Sequence, residues 1–233
     1  MHPVAFVAGA TGFVGHALVQ ALCAKGITTV AHVRPDSSKL ADWQGRFAAM
    51  GAQVDTSTWQ LPAMTEALRR QGVTHVFCCI GTTRKRKSQA SRPEAETYEA
   101  VDFGLTRLLV DAAQEAGNVQ RFVYLSSAGT SQGAKGAYLQ ARWKAEQAVR
   151  AGKVPFTIAR PSMILGDREE ERPLERAGGK LADRALQLIG ALGGRHLRDR
   201  YRSTDDKTLA AALLRYGLDP AAAGSVVESE HLR

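Results

Sequence analysis

Short apolar runs alternate along the chain with longer segments of helical periodicity. The predicted strands are Val4–Ala8 and residues 28–33, 52–54, 73–80, 122–126 and 156–159. The predicted helices are Phe13–Ala24 and residues 95–116, 138–150 and 207–216. Strands that alternate with long helices indicate βαβ crossovers, and continuously apolar strands are typical of a parallel sheet covered on both faces. We therefore predict an α/β fold with a doubly wound parallel sheet.

Length and composition narrow the class of protein. At roughly 150 residues per domain, 233 residues predict a single domain. Hydrophobic residues make up 44% of the chain and charged residues 23%, which excludes wholesale disorder. No apolar run approaches the roughly 18 residues of a membrane-spanning helix, and the first residues lack the basic region of a secretory signal. Three cysteines, two of them adjacent, fit neither a disulfide framework nor a zinc site. We expect a cytoplasmic monomer or homodimer without a metal.

A glycine-rich motif follows the first predicted strand and opens the first predicted helix. Gly9 permits a tight turn, Gly12 lets the backbone approach a pyrophosphate, and Gly15 allows the helix to pack closely on the strand. The helix N-terminus adds N–H donors and partial positive charge. The alternative is a glycine-rich turn that binds nothing. We predict that the whole motif contacts a dinucleotide: Gly9, Ala10, Thr11, Gly12, Phe13, Val14 and Gly15.

The spacing GxxGxxG, with Thr11 before Gly12, resembles the extended and atypical short-chain dehydrogenase/reductases. The resemblance implies that an enzyme using NAD would carry Asp or Glu at the end of the second strand, where it would bind the ribose 2′-hydroxyl. Here that position holds Arg34, which can bind a 2′-phosphate bidentately. We therefore expect NADP(H) in preference to NAD(H), the alternative being that Arg34 is a solvated strand end. Asp55 matches the family's carboxylate that meets the adenine amino group.

A second segment, Phe-Cys-Cys-Ile-Gly-Thr-Thr-Arg at residues 77–84, resembles the Tat-interacting-protein-like branch of the atypical reductases. In that branch the end of the fourth strand lies under the cofactor ribose, which implies that Gly81 and Thr82 contact the cofactor. We expect Cys78 and Cys79 to be packing residues, with redox sensing as the alternative. Shorter pieces extend the resemblance over essentially the whole chain: residues 100–102, 124–127, 160–162, 166–170 and 226–229.

The resemblance also implies a tyrosine that exchanges a proton with the substrate, a lysine four residues later, and a serine after the fifth strand. Tyr138 is the candidate tyrosine, and Ser127 is the candidate serine, with Ser126 as the nearby alternative. The lysine position holds Arg142, which lies about 40° around the helix from the tyrosine and keeps the positive charge. Lys144 lies about 240° around the helix and is a poor substitute. Because arginine replaces the lysine, the sequence supports cofactor binding better than catalytic turnover.

The remaining predictions concern the C-terminal part of the chain. We expect residues 1–160 to form the dinucleotide-binding core and residues 161–233 to form a dependent part that faces the substrate. Pro161 and Arg172 are predicted cofactor contacts, although Arg172 fits salt bridges with the neighbouring glutamates equally well. A periodic apolar face follows at Leu181, Ala185, Leu188 and Leu192. We expect this face to pack in the core, and a membrane-surface helix is the alternative.

The net charge of +8 lies entirely in the first 160 residues, which carry 19 basic and 11 acidic residues. Four consecutive basic residues, 84–87, supply half of it. This distribution favours a phosphate-bearing cofactor over nucleic acid, because no aromatic interleaving or recognition-helix motif accompanies the run. The leading hypothesis is an oxidoreductase of a small carbonyl/alcohol substrate, with NADPH-dependent reduction of the carbonyl or a related group as the leading reaction. The alternatives are a non-catalytic NADP(H)-binding sensor that controls a protein partner and, more weakly, a redox protein that serves a membrane quinone or lipid.

Overall fold

Seven parallel strands form one sheet in a computed structural model that describes residues 2–82, 96–165 and 203–233. The strands of this sheet are β1 (Val4–Ala8), β2 (Thr28–His32), β3 (Gln53–Asp55), β4 (His75–Cys78), β5 (Arg121–Leu125), β6 (Phe156–Arg160) and β9 (Ser225–Glu228). Two short strands, β7 (Ile164–Leu165) and β8 (Thr204–Asp205), lie between β6 and β9 in the sequence. The order in the sheet is β3-β2-β1-β4-β5-β6-β9, while β7 and β8 pair separately. This confirms the predicted doubly wound parallel sheet.

Helices cover both faces of the sheet. In the described residues the α-helices are α1 (Phe13–Ala24), α2 (Leu40–Ala49), α3 (Leu61–Arg70), α4 (Thr106–Ala116), α5 (Ala137–Ala151) and α6 (Asp206–Leu218). One apolar core lies between the sheet and helices α1, α2 and α6, and a second lies between the sheet and helices α3, α4 and α5. The strands are therefore buried on both sides, which explains why their sequences are continuously apolar.

The segment predicted as one helix over residues 95–116 is divided in the structure. A π-helix covers Tyr98–Leu105, and α4 begins only at Thr106. The side chain of Thr97 accepts a hydrogen bond from the N–H of Ala100 and so begins the π-helix. The wider turns of a π-helix change which side chains face the sheet, and such segments often occur at functional sites. Here they bring Asp102 fully into the interior.

Helices α2 and α3 and strand β9 were not predicted. Helix α2 buries only Phe47 among its ten residues, so its sequence carries little apolar periodicity. Strand β9 is only four residues long, and it forms by pairing with β6 at the edge of the sheet. Several predicted features lie outside the described residues: the periodic face at 181–192, Arg172 and the basic run 84–87.

The strand order reverses direction between β1 and β4. From β1 the chain first builds outward through β2 and β3, and it then returns to add β4, β5 and β6 on the other side. In open α/β sheets, ligands bind in the crevice outside the carboxyl ends of the strands at such a point. The glycine turn after β1 lies there, between the ends of β2 and β4.

Candidate functional site

The glycine turn has the close packing that its sequence predicts. Gly9 has a φ of +78°, and a Cβ on it would lie 2.6 Å from the carbonyl oxygen of Cys79. The N–H of Gly12 donates to the carbonyl of Gly9 at 2.9 Å, and Gly12 caps helix α1. A Cβ on Gly15 would overlap the carbonyl oxygen of Gly9. The turn therefore holds the helix against two strand ends and points the helix N-terminus into the crevice, where a pyrophosphate would fit.

Arg34, two residues beyond β2, lies on one side of this turn. Its side chain is 41% exposed, and its Nη1 donates to Oε1 of Glu96 at 3.1 Å. Its Nε lies 3.7 Å from Oδ1 of Asp36. Arg34 is thus accessible at the strand end, and two carboxylates already lie beside it.

Asp55, at the end of β3, forms part of a tight turn. Its carboxylate accepts hydrogen bonds from the N–H and hydroxyl of Ser57, each at 3.0 Å, and from Nε2 of Gln71 at 3.1 Å. The neighbouring His32 ring donates from Nε2 to the carbonyl of Ser57 at 2.9 Å. Burial lowers the pKa of His32, so the neutral ring holds this turn in place. Asp55 therefore already has several protein donors where an adenine amino group was expected.

Arg142 lies inside the protein, with only 8% of its side chain exposed. Its Nη2 lies 2.9 Å from Oδ1 of Asp102, and its Nη1 donates to the carbonyl of Leu125 at 2.7 Å and to the hydroxyl of Tyr124 at 3.2 Å. Burial lowers the pKa of the guanidinium, but the neighbouring tyrosines and Asp102 more than offset this and raise it above its ordinary value. Arg142 is therefore a fixed positive charge beneath the ends of β4 and β5.

Gly81 makes room for this charge. A Cβ on Gly81 would lie 2.5 Å from Nη2 of Arg142. The next residue, Thr82, is buried and donates its N–H to Oδ2 of Asp102 at 3.0 Å. The predicted contact segment after β4 is thus tied to the π-helix and, through Asp102, to α5.

Tyr138 occupies the first turn of α5 and lies beside Arg142. The guanidinium carbon of Arg142 is 5.3 Å from the centroid of the Tyr138 ring, a cation–π distance. The ring of Tyr98 on the π-helix meets Tyr138 edge-on at 5.3 Å. Tyr138 is only partly buried, so it borders both the interior charge and the surface.

The two candidate serines have different environments. Ser126 is buried and donates to Oε1 of Glu146 at 2.6 Å. Glu146 is fully buried and pairs with Arg160 at 2.6 Å, so Ser126 belongs to an interior ionic network. Ser127 is only partly buried, and its hydroxyl donates weakly to the carbonyl of Ala128 at 3.4 Å. Ser127 therefore keeps the freer hydroxyl of the two.

Pro161 joins two strand ends next to these serines. It is buried, and its carbonyl accepts the N–H of Ala128 at 2.8 Å. The segments that follow β5 and β6 are thereby held together at the carboxyl edge of the sheet.

Asp102, Glu96 and Glu146 were not among the predicted site residues. Asp102 belongs to an Ala-Val-Asp segment that resembles the atypical reductases, and a carboxylate among apolar helix residues is the signal that could have marked it. Glu96 and Glu146 carry no comparable signal, because their contacts come from segments distant in sequence.

The adjacent cysteines have the character of packing residues. Cys78 is fully buried, its Sγ lies 3.6 Å from the Thr106 hydroxyl, and burial raises its pKa to about 11. Burial likewise raises the pKa of the Cys79 thiol. A thiol protonated in this way is a weak nucleophile, which favours packing over redox sensing.

The described residues contain no cluster of three or more His, Cys, Asp or Glu side chains arranged to hold a metal ion. Within the same ranges, no helix combines the length and the apolar character needed to cross a membrane.

Residues 9–187 match a family of NAD(P)H-binding proteins. The chain belongs to this family. It is 31% identical over 172 residues to the protein FMP52, mitochondrial, of Debaryomyces hansenii, covering 72% of this chain and 70% of the relative. It is 30% identical over 219 residues to fmp52-1, mitochondrial, of Aspergillus terreus, covering 90% and 85%. A solved short-chain dehydrogenase/reductase superfamily protein from Agrobacterium tumefaciens with bound NAD matches with a TM-score of 0.64 and 22% identity, over 96% of this chain and 76% of that one.

The predicted NAD(P)-binding Rossmann fold is confirmed, since the family match gives NAD(P)H binding and the solved structure shares the fold. One prediction is wrong. The sequence led us to expect a cytoplasmic protein, but the curated relatives are named as mitochondrial proteins. The expectation rested on the cysteine count, which does not distinguish one compartment from another.

Proposed function

We propose that the protein is an NADP(H)-dependent oxidoreductase that interconverts a small carbonyl compound and its alcohol. The observation that carries this proposal is the pairing of a nucleotide-binding glycine turn with a partly exposed Arg34 at the end of the adjacent strand β2. A guanidinium at that position suits a 2′-phosphate, whereas NAD enzymes carry a carboxylate there.

In this proposal the crevice binds the cofactor with its pyrophosphate at Gly12 and the N-terminus of α1. Arg34 faces the adenosine ribose, Asp55 lies near the adenine, and Gly81 and Thr82 lie under the other ribose. The remaining glycine-turn residues, Pro161 and Arg172 complete the proposed contacts. When bound, the cofactor supplies or accepts the hydride.

Tyr138 is the proposed proton donor for reduction. Its hydroxyl gives a proton to the carbonyl oxygen as the carbon gains the hydride, so the product is an alcohol and the tyrosine is left as the anion until solvent reprotonates it. Arg142 is the proposed source of positive charge. Its guanidinium, 5.3 Å from the Tyr138 ring, favours the negative charge that develops there. Ser127, with the freer hydroxyl, is proposed to orient the substrate oxygen.

A second candidate function is a non-catalytic NADP(H) sensor. It is favoured by the position of Arg142, whose head group binds Asp102 and the Leu125 carbonyl instead of extending into the crevice. A lysine in this place would hold the ribose and relay protons, which a buried guanidinium does poorly.

Two measurements test the proposal. Calorimetric titration should show tighter binding of NADPH than of NADH, and Arg34→Ala should remove the difference. Equal affinities in the unaltered protein would contradict the NADP(H) assignment. Oxidation of NADPH with a panel of small carbonyl compounds should be lost in Tyr138→Phe and retained in Tyr216→Phe, a matched tyrosine on α6 whose hydroxyl meets the carbonyl of His231. Tight binding with no oxidation of any panel member would favour the sensor.

A further inference from the structure

Glu96 connects the ends of the two strands that flank the glycine turn. One carboxylate oxygen, Oε1, accepts from Nη1 of Arg34 beyond β2 at 3.1 Å. The other, Oε2, accepts from the hydroxyl of Thr82 beyond β4 at 3.5 Å. Strands β2 and β4 are the two neighbours of β1 in the sheet. The carboxylate therefore spans the crevice at the turn that follows β1.

The position of Glu96 matters because its carboxylate places a negative charge next to Arg34. Glu96 is 13% exposed, whereas Asp36, the second carboxylate near Arg34, is 75% exposed. An ion pair sheltered from water is screened less than an exposed one, so Glu96 is the stronger competitor for the guanidinium. A 2′-phosphate that approaches Arg34 must displace this carboxylate or lie beside it.

We propose that Glu96 is a specificity-determining residue that competes with the 2′-phosphate of the cofactor for Arg34 and so limits the preference for NADP(H). The inference rests on the proposed function, because it requires the adenosine end of the cofactor to lie at Arg34. NAD enzymes carry a carboxylate at the end of the second strand, where it binds the ribose 2′-hydroxyl. In this protein Glu96 would take that role. A ribose 2′-hydroxyl can donate a hydrogen bond to the Glu96 carboxylate, whereas a 2′-phosphate cannot and is repelled by it.

The competition has a defined consequence for each ligand. Neutralising Glu96 frees Arg34 for the 2′-phosphate and removes a neighbouring negative charge, so binding of the phosphorylated nucleotide tightens. The same change replaces a charged acceptor for the 2′-hydroxyl with a weaker neutral one, so binding of the unphosphorylated nucleotide does not tighten. Glu96→Gln keeps the size of the side chain and a carbonyl acceptor for Thr82, which limits structural side effects.

The test uses adenosine 2′,5′-bisphosphate and adenosine 5′-monophosphate as probes, with calorimetric titration of the full chain. In Glu96→Gln the dissociation constant for the bisphosphate should fall about tenfold, in line with the loss of one sheltered charge contact, while that for the monophosphate stays within about twofold. Glu99→Gln is the matched control. It makes the same charge change three residues later, in an exposed pair with Lys144, and should alter neither constant.

The Arg34→Ala background separates competition from general repulsion. If Glu96 acts through Arg34, the gain from Glu96→Gln should disappear in the double variant. A gain that persists undiminished there, or an equal gain for both probes, would overturn the proposal.

The two proposals fail in different ways. If the unaltered protein prefers the bisphosphate and Glu96→Gln changes nothing, the role of Glu96 is refuted while the NADP(H) assignment stands. If the unaltered protein shows no preference but Glu96→Gln acquires one that needs Arg34, the competition is supported and the NADP(H) preference is refuted. If neither protein binds either probe, both proposals are refuted.

Discussion

The guanidinium of Arg142 and the carboxylate of Asp102 form a buried ion pair, with 2.9 Å between Nη2 and Oδ1. The second oxygen of Asp102 accepts the N–H of Thr82. One carboxylate thereby connects helix α5, the π-helix and the segment after β4, which are the three elements that border the proposed reacting centre. Arginine replaces the family's lysine at this position, and its surroundings suit it. A planar guanidinium can bind Asp102, the Leu125 carbonyl and the Tyr124 hydroxyl together.

Removing the charge of Asp102 should strongly destabilise the protein. Asp102→Asn leaves the Arg142 guanidinium buried without its counter-ion, and breaking such a pair costs about 3–5 kcal/mol of unfolding free energy. Urea denaturation followed by circular dichroism measures the loss. The control is Asp111→Asn, which breaks an exposed pair with Arg107 and should cost about 0.5 kcal/mol or less. Similar losses in both variants would show that the buried pair contributes no more than a surface pair.

A single methyl group on the glycine turn should disrupt nucleotide binding. In Gly15→Ala the new Cβ overlaps the carbonyl of Gly9, so the turn must shift and the unfolding free energy should fall by about 1–3 kcal/mol. Affinity for NADPH should fall by at least about tenfold, because the backbone that meets the pyrophosphate moves. Calorimetric titration and urea denaturation report the two effects.

Gly45→Ala provides the matched control for that variant. Gly45 lies in helix α2, and a Cβ there would meet no atom within 4 Å. Alanine is the better helix former, so this variant should gain about 0.5–1 kcal/mol and bind NADPH as before. Unchanged affinity in Gly15→Ala would show that the turn does not contact the cofactor.

The buried histidine His32 should make the protein sensitive to mild acid. Burial lowers its pKa below the ordinary value of 6.5, so the unfolded chain takes up a proton at a pH where the folded chain does not. Stability should therefore be unaffected by this group above pH 6.5 and should fall as the pH drops below it, by up to about 1.4 kcal/mol per pH unit.

Urea denaturation at a series of pH values measures this dependence. His32→Gln keeps an N–H donor for the Ser57 carbonyl and should flatten the slope below pH 6.5. His2→Gln, at an exposed position, controls for the loss of an imidazole. An unchanged slope in His32→Gln would assign the acid sensitivity to other groups, such as His75, whose pKa burial also lowers.

Substitutions of Ser126 and Ser127 should have different effects, the first on stability and the second on turnover. Ser126→Ala removes a hydrogen bond to the buried Glu146 and should cost about 1–3 kcal/mol of unfolding free energy. Ser127→Ala should leave stability within about 0.5 kcal/mol and lower kcat by at least about tenfold. Reversed effects, with turnover lost only in Ser126→Ala, would move the substrate contact to Ser126.

Much of the fold can be predicted from the sequence, because a parallel sheet covered on both faces requires continuous apolar strands. That requirement is visible at β1, β5 and β6, whose predicted and observed ranges largely coincide. Of the elements that were missed, α2 buries only Phe47 and β9 forms by pairing with a distant strand. Helix α3 was missed although it buries Met64 and Leu68. The π-helix was missed because its apolar spacing resembles that of an α-helix and its N-terminus depends on the Thr97 side chain.

The sequence by itself determined the parallel α/β class, the glycine turn after the first strand and the arginine in the lysine position, because each depends on residues close together in the chain. Only the tertiary structure decided how the charged side chains pair. Arg142 meets an aspartate 40 residues earlier, and Arg34 meets a glutamate 62 residues later, across the ends of strands that the fold brings together. Ion pairs of this kind depend on which strand ends become neighbours in the fold, and the local sequence around each residue does not determine that.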